Sequence, residues 1–311
     1  MHIAIFGATS QIAKDLIVAF AKQDNHELVL FARRPEIVMQ WLASVGLLGR
    51  YVISDFAAFS ADEHFDAIIN FVGVGDPAQA AAMGASIFDV TLKYDEIALN
   101  YVRQYPQCRY LFLSSGAAYG SSFDTPVDEN TKAVVAINNL QPQEWYAVAK
   151  LHAECRHRSH PEWPIIDIRV FNYFSRTQDI SARFLITDIL RAIRDKTVLK
   201  TSSDFIMRDF IHSTDFYKLV SALLMSPATN AVVDCYSKAP IDKPALLTAM
   251  QENFGLRYEI IETSAGVNAT GSKRHYYSLN TKAGRFGYQP SMTSLEGIIV
   301  EINALLLLVD E

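Results

Sequence analysis

The sequence predicts an α/β protein, a doubly wound and mostly parallel sheet followed by a smaller C-terminal lobe. Three observations carry this. Short apolar runs alternate with helix-length segments through the first two thirds of the chain, the pattern of strands joined by crossover helices. Gly7, Arg33, Asp55, Gly73 and Ser115 fall just past the ends of those runs, the edge at which such sheets hold ligands. The 311 residues, half hydrophobic and a fifth charged, suffice for a large core.

The first βαβ unit opens with strand His2–Phe6, the turn Gly7-Ala-Thr-Ser-Gln-Ile-Ala13, and a helix through Leu16–Phe20. Such a turn sets backbone N–H groups and a helix N-terminus against a pyrophosphate. Ser10 and Ala13 stand at the later positions of a G-x-x-G-x-x-G spacing, so the segment reads either as a dinucleotide turn with small substitutes or as an ordinary tight turn. Strand Glu27–Ala32 ends at Arg33 and Arg34, where an acidic residue would favour NAD. Two guanidinium groups there suit a 2′-phosphate, which points to NADP(H), or they are solvated at a helix start.

A helix over 36–44 leads to strand 51–55, whose Asp55 is placed for an adenine amino group. Strand 65–72 closes with Asn70-Phe-Val-Gly73, and Gly73 leaves space for a cofactor. Helices are expected over 77–88 and 91–105, then strand 109–115. Residues 121–139 read as a loop walling a cleft. Pro142 begins a helix to about His157, on which Tyr146 and Lys150, four residues apart, share a face. A lysine lowers the cost of a phenolate, and the phenol can exchange a proton with an alcohol or carbonyl oxygen. A Tyr-x-x-x-Lys pair alone is often a chance pair on an exposed helix; Ser115 at the strand end facing it strengthens the reading. His152 and His157 lack a set of ligands at metal spacing, so no metal is expected.

Further strands are expected at 164–170 and 231–235, with helices at 181–194 and 216–225. Asn172 can present an amide past a strand end, Asp209 and His212 hold a connecting segment, and Arg208 is a candidate anion ligand. From Ile241 onward the pattern is short helices and one isolated strand near 258–261. Lys273, Arg274, His275 and Lys282 make a basic patch that either holds a phosphate-bearing substrate or is solvated. The dinucleotide-binding part is expected over 1–171, rejoined by about 208–237, with 172–207 and 238–311 as the smaller substrate-binding lobe.

A formal net charge of −6 gives no general attraction to nucleic acid or to an acidic membrane. Cys108, Cys155 and Cys235 are far apart and odd in number, which suits reduced thiols in a cytoplasm. The N-terminus lacks the pattern of a secretory signal, and no apolar stretch approaches the roughly 20 residues of a membrane span.

Taken together, Gly7–Ala13, Ser114-Ser-Gly-Ala-Ala-Tyr-Gly120, Tyr146-Ala-Val-Ala-Lys150, Arg169-Val-Phe-Asn172, Arg208-Asp-Phe-Ile-His212 and the endings Tyr277–Lys282, Phe286–Pro290 and Ser294–Glu296 resemble an extended short-chain dehydrogenase/reductase of the nucleotide-sugar epimerase/dehydratase branch. The resemblance implies a Rossmann-type fold and a nucleotide-sugar substrate. It implies Tyr146 as general acid/base, Lys150 on the nicotinamide ribose and Ser115 on the reacting sugar oxygen. Cofactor contacts are implied at Gly7, Thr9, Ser10, Gln11, Ile12, Arg33, Asp55, Phe56, Phe71, Gly73 and Phe171, besides Tyr146 and Lys150. Substrate contacts are implied at Ser115, Asn172, Arg208 and Arg274. Family dehydratases place an acidic pair where this chain has Gly116 and Ala117, which disfavours 4,6-dehydration. Reduction of a keto-sugar with NADP(H) is preferred, with a nucleotide-sugar epimerase holding NAD, or a non-catalytic NAD(P)-binding sensor or scaffold, as alternatives. A homodimer through the helices at 91–105 and 145–157 is also implied.

Overall fold

Every residue from Ile3 to Phe6 is buried, because the strand they form lies inside a sheet covered on both faces. The computed structural model describes residues 1–23, 26–74, 80, 82–261 and 273–307. Strands β1 (His2–Phe6), β2 (Glu27–Phe31), β3 (Val52–Ser54), β4 (Ala67–Asn70), β5 (Arg109–Ser115) and β6 (Ile165–Val170) are all parallel. After β7 (Asn172–Phe174), β8 (Val198–Ser202), β9 (Met207–Arg208) and β10 (Phe210–His212), the chain returns with β11 (Ala231–Asp234), which pairs in parallel with β6. The seven-stranded order is β11-β6-β5-β4-β1-β2-β3. The direction of winding reverses between β1 and β4, so their carboxyl ends open a crevice there.

Helices α1 (Gln11–Gln23) and α2 (Pro35–Ser44) cover one face of the sheet through Leu16, Ile17, Phe20, Val38 and Leu42. The other face is covered by α3 (Ser86–Gln104) and α4 (Trp145–Arg158), where Ala98, Leu99, Val102 and Ala153 meet Phe6, Phe31, Phe65 and Phe112. Helix α5 (Leu185–Arg194) comes next, and α6 (Ser213–Met225) packs beside α1 on the first face, with Phe216, Leu219 and Leu223 in its core. Helices α7 (Lys243–Phe254) and α8 (Ser294–Leu307) share a separate core with α5, built on Ile189, Leu190, Leu246, Met250, Ile298 and Ile302.

Three expectations are corrected. The helices expected over 77–88 and 91–105 meet in α3, which runs unbroken through residues 89–90; no glycine or proline stands there to interrupt it. The expected start at Pro77 lies outside the described residues. The helix expected from 181 begins at Leu185, because the Ser181 N–H and hydroxyl both bond to Asp179 Oδ1 and hold a turn instead. The strand near 258–261 is not isolated: after the short β12 (Ile241–Asp242), β13 (Arg257–Ile261) pairs in parallel with β8 along its whole length. A last short strand, β14 (His275–Tyr276), lies on β9 opposite β12. Among the described residues no helix is long and apolar enough to cross a membrane.

Candidate active site

Strand β5 ends in two serines whose side chains alternate. Ser114 Oγ donates to Glu154 Oε1 of α4 at 2.5 Å. Ser115 caps a short 3₁₀ turn, Gly116–Tyr119, its Oγ accepting from Ala117 N–H at 3.1 Å. The next functional element, α4, is started by the turn Pro142–Glu144, in which Glu144 Oε2 accepts from Gln141 N–H at 2.9 Å. One helical turn separates Tyr146 from Lys150, and both face the end of β5.

Lys150 is 4 % exposed. Its Nζ donates to the Leu113 carbonyl at 2.7 Å and lies 4.4 Å from the Phe112 ring centroid. Burial lowers its pKa to about 8, against the pull of the Asp95, Glu154 and Asp167 carboxylates. Burial raises the Tyr146 phenol, and a hydrogen bond with Ser115 acts in the opposite sense. The lysine ammonium stands 6.0 Å from the Tyr146 ring. Ser115 is thus placed to offset part of the cost of a phenolate on Tyr146. A Cβ on Gly73 would come within 3.3 Å of Lys150 Nζ, so the glycine keeps the end of β4 clear beside the ammonium.

Behind these groups lies a buried ionic layer. Glu154 accepts from Arg169 Nε at 3.0 Å, and the Arg169 guanidinium sits 4.2 Å over the Tyr119 ring. Tyr119 in turn donates to Asp234 Oδ2 at 2.8 Å. Tyr119, Phe123, Val127, Phe171 and Tyr276 form an apolar cluster beside Ser115. A Cβ on Gly116 would fall 2.4 Å from the Phe171 ring, so the position that is acidic in dehydratases has no room for any side chain here.

The turn after β1 brings the backbone of Gly7 close to the end of β4. Gly7 has φ +76°, and a Cβ on it would lie 2.9 Å from Val72 N. Ala13 is fully buried, and Ser10 N–H donates to Gly7 O at 2.9 Å, so the tight turn forms without further glycines. Thr9 is exposed, Ile12 packs partly against the core, and Gln11 Nε2 donates to Ser175 Oγ at 3.0 Å. Arg33 and Arg34 are exposed beyond β2. Asp55 is also exposed, its Oδ1 capping the turn at Phe56 by accepting from Ala57 and Ala58 N–H at 2.9 and 3.1 Å. Phe56 and Phe71 pack inward, Phe56 at 5.2 Å from Phe6 and Phe71 at 6.3 Å from Phe216.

On the substrate side, Asn172 Nδ2 donates to the Asp209 and Tyr276 carbonyls, at 3.2 and 3.4 Å, which ties β7 to the segments carrying those residues. Arg208 Nη1 donates to the Lys273 carbonyl at 2.7 Å. Its guanidinium lies 5.8 Å from the Tyr276 ring, and Lys273 Nζ lies 4.4 Å from the same ring. Burial lowers both, Arg208 to about 10 and Lys273 to about 8, the latter further depressed by Arg208. Arg274 is exposed; its neighbour Lys273 turns inward instead. Lys282 lines a surface cleft with Asp128, Glu129 and Arg285, so the basic residues of the C-terminal part do not form one patch. Asp209 takes Ser237 N–H and Ser294 Oγ–H, and His212 meets Glu301, which fixes the connecting segment as expected.

Reading the sequence gave no site role to Tyr276, Glu154 and Arg169. The last two had a signal, since Glu154 lies one turn beyond Lys150 and Arg169 opens the segment leading to Asn172. Lys273 was seen only as part of a charge cluster.

A model of the NAD dependent epimerase/dehydratase family matches residues 3–236. UDP-glucose 4-epimerase 2 of Oryza sativa subsp. japonica is 34 % identical over 122 residues, 36 % of this chain and 27 % of that protein. The chain thus matches about a quarter of the length of that relative. UDP-glucuronic acid 4-epimerase from Bacillus cereus, solved in complex with NAD, superposes with a TM-score of 0.77 at 16 % identity over 99 % of both chains. UDP-N-acetylglucosamine 4-epimerase from Methanobrevibacter ruminantium M1, solved with UDP-N-acetylmuramic acid, gives a TM-score of 0.79 at 15 % identity over 99 % of this chain and 98 % of that one. These two likenesses establish the Rossmann-type architecture, and the family match establishes kinship: the chain belongs to the NAD dependent epimerase/dehydratase family.

Proposed function

We propose that this chain is a nucleotide-sugar epimerase acting by reversible hydride transfer at a sugar carbon. The observation that carries the reading is the meeting of Ser115, Tyr146 and Lys150, from β5 and α4, beside the crevice bounded by Gly7 and Gly73. Tyr146 takes the proton of a sugar hydroxyl and returns it. Ser115 hydrogen-bonds the same oxygen, and Lys150 holds the nicotinamide ribose and keeps a positive charge near the phenol. The nicotinamide, when bound, accepts and returns the hydride. Arg208 and Lys273 hold the diphosphate, two cations that face no carboxylate among the described residues. The parts of the chain around α5, α7 and α8 form the substrate lobe.

The preference for reduction over epimerisation is reversed on the named activities of the relatives, all three of them 4-epimerases, one with NAD bound. Reduction of a keto-sugar by NADPH stays as a second reading because Arg33 and Arg34 stand exposed where an acid would bind the ribose of NAD. The decisive experiment is mass spectrometry of small molecules released from the purified protein, followed by NADH and NADPH titrations of wild type and Arg33→Ala. Epimerisation predicts retained NAD and conversion of UDP-glucose without net nicotinamide reduction. A protein that is empty, prefers NADPH and loses that preference by about tenfold in Arg33→Ala would replace it with the reductase. Tight cofactor binding without turnover of any nucleotide-sugar would favour a sensor.

A homodimer is proposed through the outer faces of α3 and α4, where Leu92, Glu96, His152 and Cys155 are exposed. Sedimentation should give a mass near twice the 34.8 kDa chain and near one chain for Leu92→Arg; a wild-type monomer removes this part of the reading.

A further inference from the structure

The Ser115 hydroxyl has one proton to give and two lone pairs to offer. Ala117 N–H occupies one lone pair at 3.1 Å. Two phenols share what is left. Tyr146 lies beside Ser115 from α4, near enough for the serine hydroxyl to lower the phenol's pKa. Tyr276, on β14 and from the far end of the chain, brings its hydroxyl to 3.3 Å from Ser115 Oγ. The mechanism above gives Tyr276 no part.

The surroundings of Tyr276 decide which way its proton points. The Ala117 N–H beside it only donates and lowers its pKa. Its ring is held by Phe123 at 4.8 Å and Phe171 at 5.2 Å, with the Lys273 ammonium and the Arg208 guanidinium against it. None of these accepts a hydrogen bond. Among the described residues Ser115 Oγ is the acceptor that the Tyr276 proton reaches.

We propose that Tyr276 is a positioning residue: in the substrate-free site, by donating to Ser115 Oγ, it fills the second lone pair of the serine and turns the single serine proton onto the Tyr146 oxygen, from which that proton swings to the sugar oxygen when substrate binds. The inference rests on Tyr146 being the acid/base of the reaction. An oxygen that receives a hydrogen bond is held more easily as phenolate than as phenol. The charged groups around the pair are Lys150 on α4, with Asp95, Glu154 and Asp167 behind it, and Arg208 and Lys273 against Tyr276. None is removed when the Tyr276 hydroxyl is. Because β14 comes from the C-terminal part of the chain, the serine proton is set only when that part is seated over β5.

Tyr276→Phe keeps the ring and its packing and deletes the donor. In protein labelled with 13C-tyrosine, the Tyr146 signal is assigned by its loss in Tyr146→Phe and titrated without any substrate. Tyr146 should titrate about one pH unit higher in Tyr276→Phe than in wild type. In a Ser115→Ala background the same substitution should move it no further, since the relay is already cut. An unmoved Tyr146 titration, or an equal displacement without Ser115, overturns the proposal. Undiminished UDP-glucose turnover in Tyr146→Phe overturns the acid/base reading instead, and the two failures are read from separate measurements.

Discussion

Tyr146→Phe should lower turnover by about 10²–10⁴-fold and leave NAD affinity within about threefold of wild type. The phenol hydroxyl is the only part removed. The ring keeps its place beside Lys150, whose Nζ is tied to the Leu113 carbonyl and does not depend on Tyr146 for its position. The loss should therefore fall on kcat rather than on KM, the mark of an interaction made at the transition state. The wild type should also lose activity as pH rises through about 8, where the buried Lys150 gives up its proton and with it the positive charge beside the phenolate. Stopped assays of UDP-glucose conversion from pH 6 to 10, with NAD binding followed in parallel, test both points. Turnover that survives Tyr146→Phe would end the proposed mechanism; loss of NAD binding together with turnover would show that the residue holds the cofactor rather than the proton.

Legibility in the sequence followed the range of the interactions. The strands and the Ser115, Tyr146 and Lys150 set could be read because their signals are local: an apolar run ending in serines, and a four-residue helical spacing. Gly7 could be read because a tight turn needs it within one loop. The buried ionic layer could not. Asp95 and His157 are 62 positions apart, and their meeting depends on how α3 packs on α4. Tyr276 lies 161 positions from Ser115, and its short strand is held by β9, two residues long, which no periodicity marks. The break expected at residues 89–90 does not form, because neither glycine nor proline stands there to stop the helix. His157 is the plainest case. Its sequence context offers no metal-ligand spacing and no other signal, yet it is one of the most enclosed polar groups among the described residues.

His157 is fully buried, with Nδ1 2.6 Å from Asp167 Oδ1 and Nε2 2.8 Å from Asp95 Oδ1. A ring nitrogen that faces a carboxylate oxygen must carry a proton, so a histidine set between two carboxylates is an imidazolium. Burial by itself would depress the group; Asp167 and Asp95 overcome that and raise its pKa to about 9. Arg156 and Arg158 pair with the outer oxygens of Asp95 and Asp167, and Tyr110 donates to Asp95 Oδ1. The bridge pins the C-terminal end of the helix carrying Tyr146 to both β6 and α3. Since the folded value lies above the unfolded value of about 6.5, the stabilisation is complete below pH 6.5 and fades as pH rises through about 9. Its size is about 3 kcal/mol on the same linkage. His157→Gln can donate to only one of the two carboxylates and leaves the other buried without its partner, so it should cost about 4 kcal/mol at pH 6. At pH 9.5 the gap to wild type should shrink to about 1 kcal/mol, because the wild-type imidazolium is then mostly neutral too. Lys150 and Lys273, lowered by burial, push total stability the other way with pH, but they are common to both proteins and cancel in the difference. Urea unfolding of the pair at the two pH values measures that difference. A gap that stays constant would mean that His157 is neutral in the fold.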